Sequence, residues 1–198
     1  SSQIRARLAE GDVRTAGQML GRRYGFTGEV VHGDGRGKSI GVPTANIQPW
    51  KEQLLPCNGV YVTWAEVGGT RLRSVTNIGF RPTFDDPIPA PRVETLLLEG
   101  EGDYYGQLMT LEFVEFLRPE IRFSSVDLLL AQINQDITKT QEILNMVPER
   151  QVYLLDPQDY PPETIAVAFA KTSRSPESFR QIAAELNDEK SAEFHERW

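Results

Sequence analysis

Apolar and polar positions change period along the chain, and each change marks an element. Over residues 3–21 the apolar positions recur at helical spacing. Asp12 can cap a turn running Val13, Ala16, Met19 and Leu20, with Gly21 as the stop. From 26 to 116 the period shortens to that of strands. Val60–Val67 is β-branched and aromatic, and Gly68-Gly69 turns it back into Leu72, Val75 and Ile78. Thr95–Leu98 continues the pattern, and Met109–Phe116 alternates apolar with polar, as a half-buried strand does. Short strands punctuated by Gly and Pro predict a mainly β fold, a small closed Greek-key-like barrel. Residues 124–145 return to the helical period. Val126, Leu129, Leu130, Ile133, Ile137 and Leu144 form one stripe, which predicts a helix packed on the barrel. Ser124 with Asp127 resembles a capping box with Asp in the place of Glu.

The pattern shifts after Met146. Pro148-Glu149-Arg150 reads as a linker, and the short strand Val152–Leu155 is broken by Pro157, Pro161 and Pro162. Ser175-Pro176-Glu177 makes a cap and first-turn pair for a helix carrying Phe179, Ile182, Ala183 and Leu186. A further helix follows Asp188. The expected organisation is a helical lead-in at 1–21, a barrel domain at 22–146 and an α-rich appendage at 147–198. His195 has no second His or Cys at ligand spacing, so it is expected to be a surface or core histidine.

Composition narrows the function classes. At 198 residues the chain holds one good core and part of a second domain. Its net charge of −7, with acids and bases interspersed, argues against a nucleic-acid surface. No apolar run is long enough to span a bilayer and no signal peptide opens the chain. A soluble cytoplasmic protein without membrane or nucleic-acid partners is expected. The single Cys57 excludes an intramolecular disulfide and cannot by itself make a structural zinc site. It is expected to be a small buried hydrophobe.

The candidate chemistry sits in Val30-Val31-His32-Gly33-Asp34-Gly35-Arg36-Gly37-Lys38-Ser39-Ile40-Gly41-Val42-Pro43-Thr44-Ala45-Asn46. Glycines let a backbone approach a ligand closely, and successive N–H groups in such a turn form an anion site. Thr44 and Asn46, two apart, put two neutral oxygens on one side of an extended segment. Such oxygens suit a hard cation such as Mg²⁺, whose other ligands are waters and substrate phosphates. Two commoner glycine motifs do not fit. A P-loop needs Gly five residues before Gly37, where His32 stands. A dinucleotide fingerprint opens a helix, whereas these glycines lead into Val42-Pro43-Thr44.

The spacing Gly28-x-Val30-Val31-x-Gly33-x-x-x-Gly37-x-x-x-Gly41-x-Pro43-Thr44-Ala45-Asn46 resembles the signature of riboflavin kinases, including the kinase half of bacterial bifunctional riboflavin kinase/FAD synthetases. Leu55-Pro56-Cys57-Asn58-Gly59-Val60-Tyr61 resembles that family's LPxNGVY, and Asn77-Ile78-Gly79-Phe80-Arg81-Pro82-Thr83-Phe84 its NIGxRPTF. Val93-Glu94-Thr95 with Gly102-Asp103-Tyr104-Tyr105-Gly106 resembles VETHLLDFxxDLYG, and Phe116-Leu117-Arg118-Pro119-Glu120 with Phe123 resembles FLRPExxF. The resemblance covers roughly residues 14–145.

It implies transfer of the ATP γ-phosphoryl group to the riboflavin 5′-hydroxyl, with ADP and FMN as products and Mg²⁺ accompanying ATP. Gly33, Gly35, Gly37, Lys38 and Gly41 would cover the phosphates. Thr44 and Asn46 would hold both Mg²⁺ and phosphate oxygens, with Asn77 and Arg81 also facing the nucleotide. Glu94 would be the general base. Arg118 would bind the flavin-side phosphate or pair with Glu120 or Glu115, and Tyr105 and Phe123 would pack on the isoalloxazine edge. Leu96 departs from the family, where many members have His. Ser1-Ser2-x-Ile4-Arg5 resembles the last motif of the adenylyltransferase domain that precedes the kinase in the bifunctional enzymes, so such a domain is a candidate partner in a longer chain. Residues 152–198 resemble the opening of proteins related to flavin-dependent thymidylate synthases. The alternative is a flavin- or nucleotide-binding regulatory module without catalysis, which would have no need of Glu94 beside the substrate hydroxyl.

Overall fold

The computed structural model describes residues 1–33, 35, 37, 40–80, 91–100 and 102–150. Lys38, Arg81, His195 and the whole appendage from 151 lie outside the described residues.

The helical lead-in consists of α1 (Ser2–Ala9) and α2 (Val13–Leu20). Gly11, at φ 80°, turns the chain between them. Asp12 caps α2, its carboxylate accepting from the Thr15 N–H at 3.0 Å. Gly21 ends α2 in the left-handed conformation at φ 68°.

Strands β1 (Gly25–Val31), β2 (Ala45–Gln48), β3 (Gly59–Val67), β4 (Thr70–Phe80), β5 (Pro91–Leu97) and β6 (Leu108–Arg118) close into a barrel in the order β1-β2-β5-β4-β3-β6. All six neighbouring pairs are antiparallel. Alternation sends Tyr61, Ile78, Val93, Met109, Leu111 and Phe113 into the interior. Leu8, Val13 and Ala16 of α1 and α2 belong to the same core, so the lead-in is packed into the barrel rather than standing apart from it. Four buried hydroxyls share the interior. Thr63 Oγ1 lies 2.7 Å from both Ser74 Oγ and Thr76 Oγ1, and Thr76 Oγ1 lies 3.0 Å from Thr95 Oγ1, so each has a partner.

Helix α3 (Val126–Met146) lies on the barrel's outer face, where Leu144 packs with Val62, Trp64 and Val114. Ser125 caps it, not Ser124. The Ser125 backbone is extended and its Oγ accepts from the Leu128 N–H at 3.3 Å. Beyond the expected apolar stripe, α3 also buries Asp136 and Thr140. After α3 the chain is tied back to the barrel. Buried Arg23 donates to the carbonyls of Pro148 and Glu149, and the latter also accepts from Arg71 Nη2 at 2.8 Å. Cys57 is half-buried rather than buried, with Sγ 3.4 Å from the Tyr61 hydroxyl.

Candidate active site

Strand register lines up one row of side chains around the barrel. Asn46 on β2 pairs with Glu94 on β5, Glu94 with Asn77 on β4, Asn77 with Val60 on β3, and Val60 with Arg118 on β6. Directly paired residues share a face. Their strand neighbours Ile47, Val93, Ile78 and Tyr61 point into the core, so this row points outward.

The row opens onto a cleft of ≈ 530 Å³ between the barrel wall and α3. The wall contributes Val60, Val75, Asn77, Glu94, Leu96 and Arg118, and α3 contributes Leu129, Ile133 and Asp136. Glu120, Ile121 and Phe123 of the β6–α3 connection close one side, and Gly37, Ile40, Val42 and Thr44 of the glycine loop another. A second cavity of ≈ 380 Å³ is lined by Val30, Ala45, Thr95 and Leu97 with Asp103, Tyr104 and Tyr105 of the turn before β6. Thr44 lines both.

The glycines make this packing possible. A Cβ on Gly33 would overlap the side-chain amide of Asn46, with Cγ only 2.5 Å away. A Cβ on Gly37 would run into the Val42 carbonyl and come within 3.3 Å of Thr44 Oγ1. The loop returns on itself through a Val42 N–H bond to the Gly37 carbonyl at 2.8 Å, with Gly41 at φ 79° inside that turn. Gly35 also takes a left-handed φ, 68°. Gly33, Gly37, Thr44 and Asn46 are thus brought together, with Glu94 on the strand beside Asn46.

Glu94 is half-buried and forms an ion pair with Arg92, two residues earlier on the same face of β5. Arg118 does not pair with Glu115 or Glu120. Its Nε and Nη2 grip the buried carboxylate of Asp136 at 3.1 and 2.7 Å, and Gln132 Nε2 donates to the same carboxylate at 3.0 Å. Losing one partner of such a buried pair costs roughly 3–5 kcal/mol. Arg118 also lies 6.0 Å over the Phe123 ring. Glu115 pairs with Arg14 at 2.7 Å, and Glu120 accepts from Asn77 Nδ2 at 3.0 Å. Tyr105 separates from Arg118 and Phe123. It precedes β6 whereas Arg118 ends it, and its ring stacks on His32, centroids 3.8 Å apart, beside the second cavity.

Arg92 and Asp136 join the cleft without being expected site residues, and Glu120, expected only as a partner for Arg118, joins it as well. Arg92 could have been found from its i, i+2 spacing to Glu94. Asp136 could have been found from a carboxylate standing three residues after Ile133, on the apolar side of the helix. The register that brings Glu120 to Asn77 leaves no sequence signal.

Among the described residues no group of three or more His, Cys, Asp or Glu could hold a metal. Thr44 and Asn46 carry neutral oxygens of the kind a hard divalent cation accepts beside water and phosphate.

Residues 20–144 match the family model for riboflavin kinase (flavokinase). The chain belongs to the riboflavin kinase family. It is 37% identical over 141 residues to a bifunctional riboflavin kinase/FMN adenylyltransferase of Listeria monocytogenes, covering 71% of this chain and 45% of that one. The chain therefore spans less than half the length of the bifunctional relatives it matches. A solved structure of a Streptococcus pneumoniae protein described as a macrolide-efflux protein superposes with TM-score 0.68 at 33% identity, covering 71% of this chain and 46% of that one. The riboflavin kinase of Trypanosoma brucei shares the fold, with TM-score 0.50 at 22% identity over 78% of this chain and 94% of that one. No helix among the described residues is long and apolar enough to cross a membrane.

Proposed function

We propose that this chain moves the γ-phosphoryl group of ATP onto the 5′-hydroxyl of riboflavin, giving FMN and ADP. The observation that carries the reading is Glu94, held by register between Asn46 and Asn77 on a wall that faces a cleft with apolar and charged lining. The isoalloxazine ring lies in that cleft, against Val60, Val75, Leu96, Ile133 and Phe123. The nucleotide lies in the second cavity, and its phosphates reach Thr44, which borders both spaces. Tyr105 accordingly belongs to the nucleotide side. Gly33, Gly35, Gly37 and Gly41 supply the bare backbone beside the phosphates, and Lys38 and Arg81 complete the proposed nucleotide contacts.

Glu94 takes the proton of the 5′-hydroxyl as its oxygen bonds to the γ-phosphorus, and the bond from that phosphorus to the leaving oxygen of ADP breaks. Arg92 fixes the direction of the Glu94 carboxylate. Arg118, its charge met by Asp136, positions the Phe123 side of the cleft rather than binding a phosphate. Riboflavin kinases take ATP with a divalent metal ion. Thr44 and Asn46 would hold Mg²⁺, whose charge offsets that of the phosphates during transfer. A cytoplasmic location belongs to the same proposal.

Incubating the 198-residue chain with riboflavin, ATP and Mg²⁺ tests it. FMN and ADP should appear in equal amounts and only with the divalent ion present. Binding of both substrates with no FMN formed would instead identify a flavin- and nucleotide-binding module.

A further inference from the structure

Among the described residues the larger cleft is lined by three carboxylates and two guanidinium groups. Arg92 faces Glu94, and Arg118 faces Asp136. Glu120 differs from the other two carboxylates: its partner among the described residues is the neutral amide of Asn77. Glu120 is exposed, but its side chain is held against the barrel wall. Its carboxylate lies against the bare Cα of Gly79, where a Cβ would come within 2.5 Å of Oε1 and 3.0 Å of Oε2. Asn77, which holds it from the other side, is the cross-strand neighbour of Glu94. A negative charge is therefore fixed in the cleft one strand away from the proposed base.

A carboxylate only accepts hydrogen bonds. It welcomes the hydroxyl and imide N–H donors of a neutral flavin and repels a phosphomonoester carrying close to two negative charges. We infer that Glu120 sets the preference of this cleft for the unphosphorylated flavin over its phosphorylated product, and so favours release of the product once the phosphoryl group has arrived. The inference rests on the flavin reading of the cleft and adds a specificity-determining residue to it.

Dissociation constants of riboflavin and FMN, measured by flavin fluorescence on the full chain without nucleotide, test the role. In Glu120→Gln the ratio of the FMN constant to the riboflavin constant should fall about threefold, as expected for removal of a like charge at an exposed site. The difference between the two proteins should shrink as salt approaches 1 M, where the Debye length is about 3 Å. Glu120→Asp keeps the charge and should stay nearer the unaltered ratio. If Glu120→Gln weakens or strengthens both flavins together and leaves the ratio unmoved, Glu120 has no part in the discrimination and the flavin reading stands. If the unaltered chain binds neither flavin, the flavin reading falls and this role with it.

Discussion

Gly33 matters through what it lacks. Its missing side chain is where the Asn46 amide lies, and Asn46 stands beside Glu94. Gly33→Ala should push that amide aside and weaken Mg²⁺-dependent ATP binding roughly 10–100-fold, the scale on which disturbing a ligand's support affects metal affinity. Riboflavin affinity should change far less. Nucleotide titrations with and without Mg²⁺ read this directly, and an unchanged Mg²⁺ dependence would sink the assignment of Asn46. Thr44 and Asn46 were legible in the sequence because two residues of an extended segment share a side whatever surrounds them. Asn77 and Glu120 could be quoted from motifs, but not joined. Their contact depends on how β4 meets the β6–α3 connection, which no spacing along the chain encodes. Aromatic chemistry groups Tyr105 with Phe123, but Tyr105 precedes β6 and Phe123 follows it, so the length of β6 parts them.

At the scale of elements, caps decide boundaries. The Asp12 cap and the Gly21 stop expected around Val13–Leu20 are both present, and Gly11 turns the chain between that helix and α1. Before α3, two consecutive serines can each serve as a cap, and the extended backbone at Ser125 selects it over Ser124. The Thr15 backbone N–H bonded to Asp12 holds its carboxyl below the usual carboxylate range, against a smaller opposing effect of burial. Asp12→Ala should therefore cost about 1 kcal/mol at neutral pH, measured by urea unfolding. A depressed carboxyl stabilises the fold above its ordinary value and loses that contribution as pH falls through the folded value. The gap between the two proteins should thus narrow as the medium is made acidic. A gap that persists at low pH would mean the carboxylate's charge is not what caps α2.

For the molecule as a whole, the barrel is readable from short strands and Gly/Pro punctuation. A boundary at 146 follows from the change of pattern there, yet Arg23 and Arg71 reach across to the carbonyls of residues 148 and 149. These are backbone acceptors, so no side-chain pattern reveals them. We place the end of the folding unit at Arg150 and include the lead-in helices, whose Leu8, Val13 and Ala16 share the barrel core. A chain ending at Arg150 should melt cooperatively and make FMN. One ending at Asn145 removes two acceptors from buried Arg23 and should be less stable by about 1–3 kcal/mol. Equal melting temperatures for the two truncations would show that the strap at 147–150 contributes nothing.

The central claim is that the outward row around Glu94 performs the transfer. Glu94→Gln keeps the shape and hydrogen-bonding reach of the side chain and removes its ability to take the proton. With riboflavin, ATP and Mg²⁺ all saturating, single-turnover FMN formation should fall about 10²–10⁴-fold while both substrates still bind. A near-normal rate in this variant would contradict the account, because the reaction would then need no base on this wall.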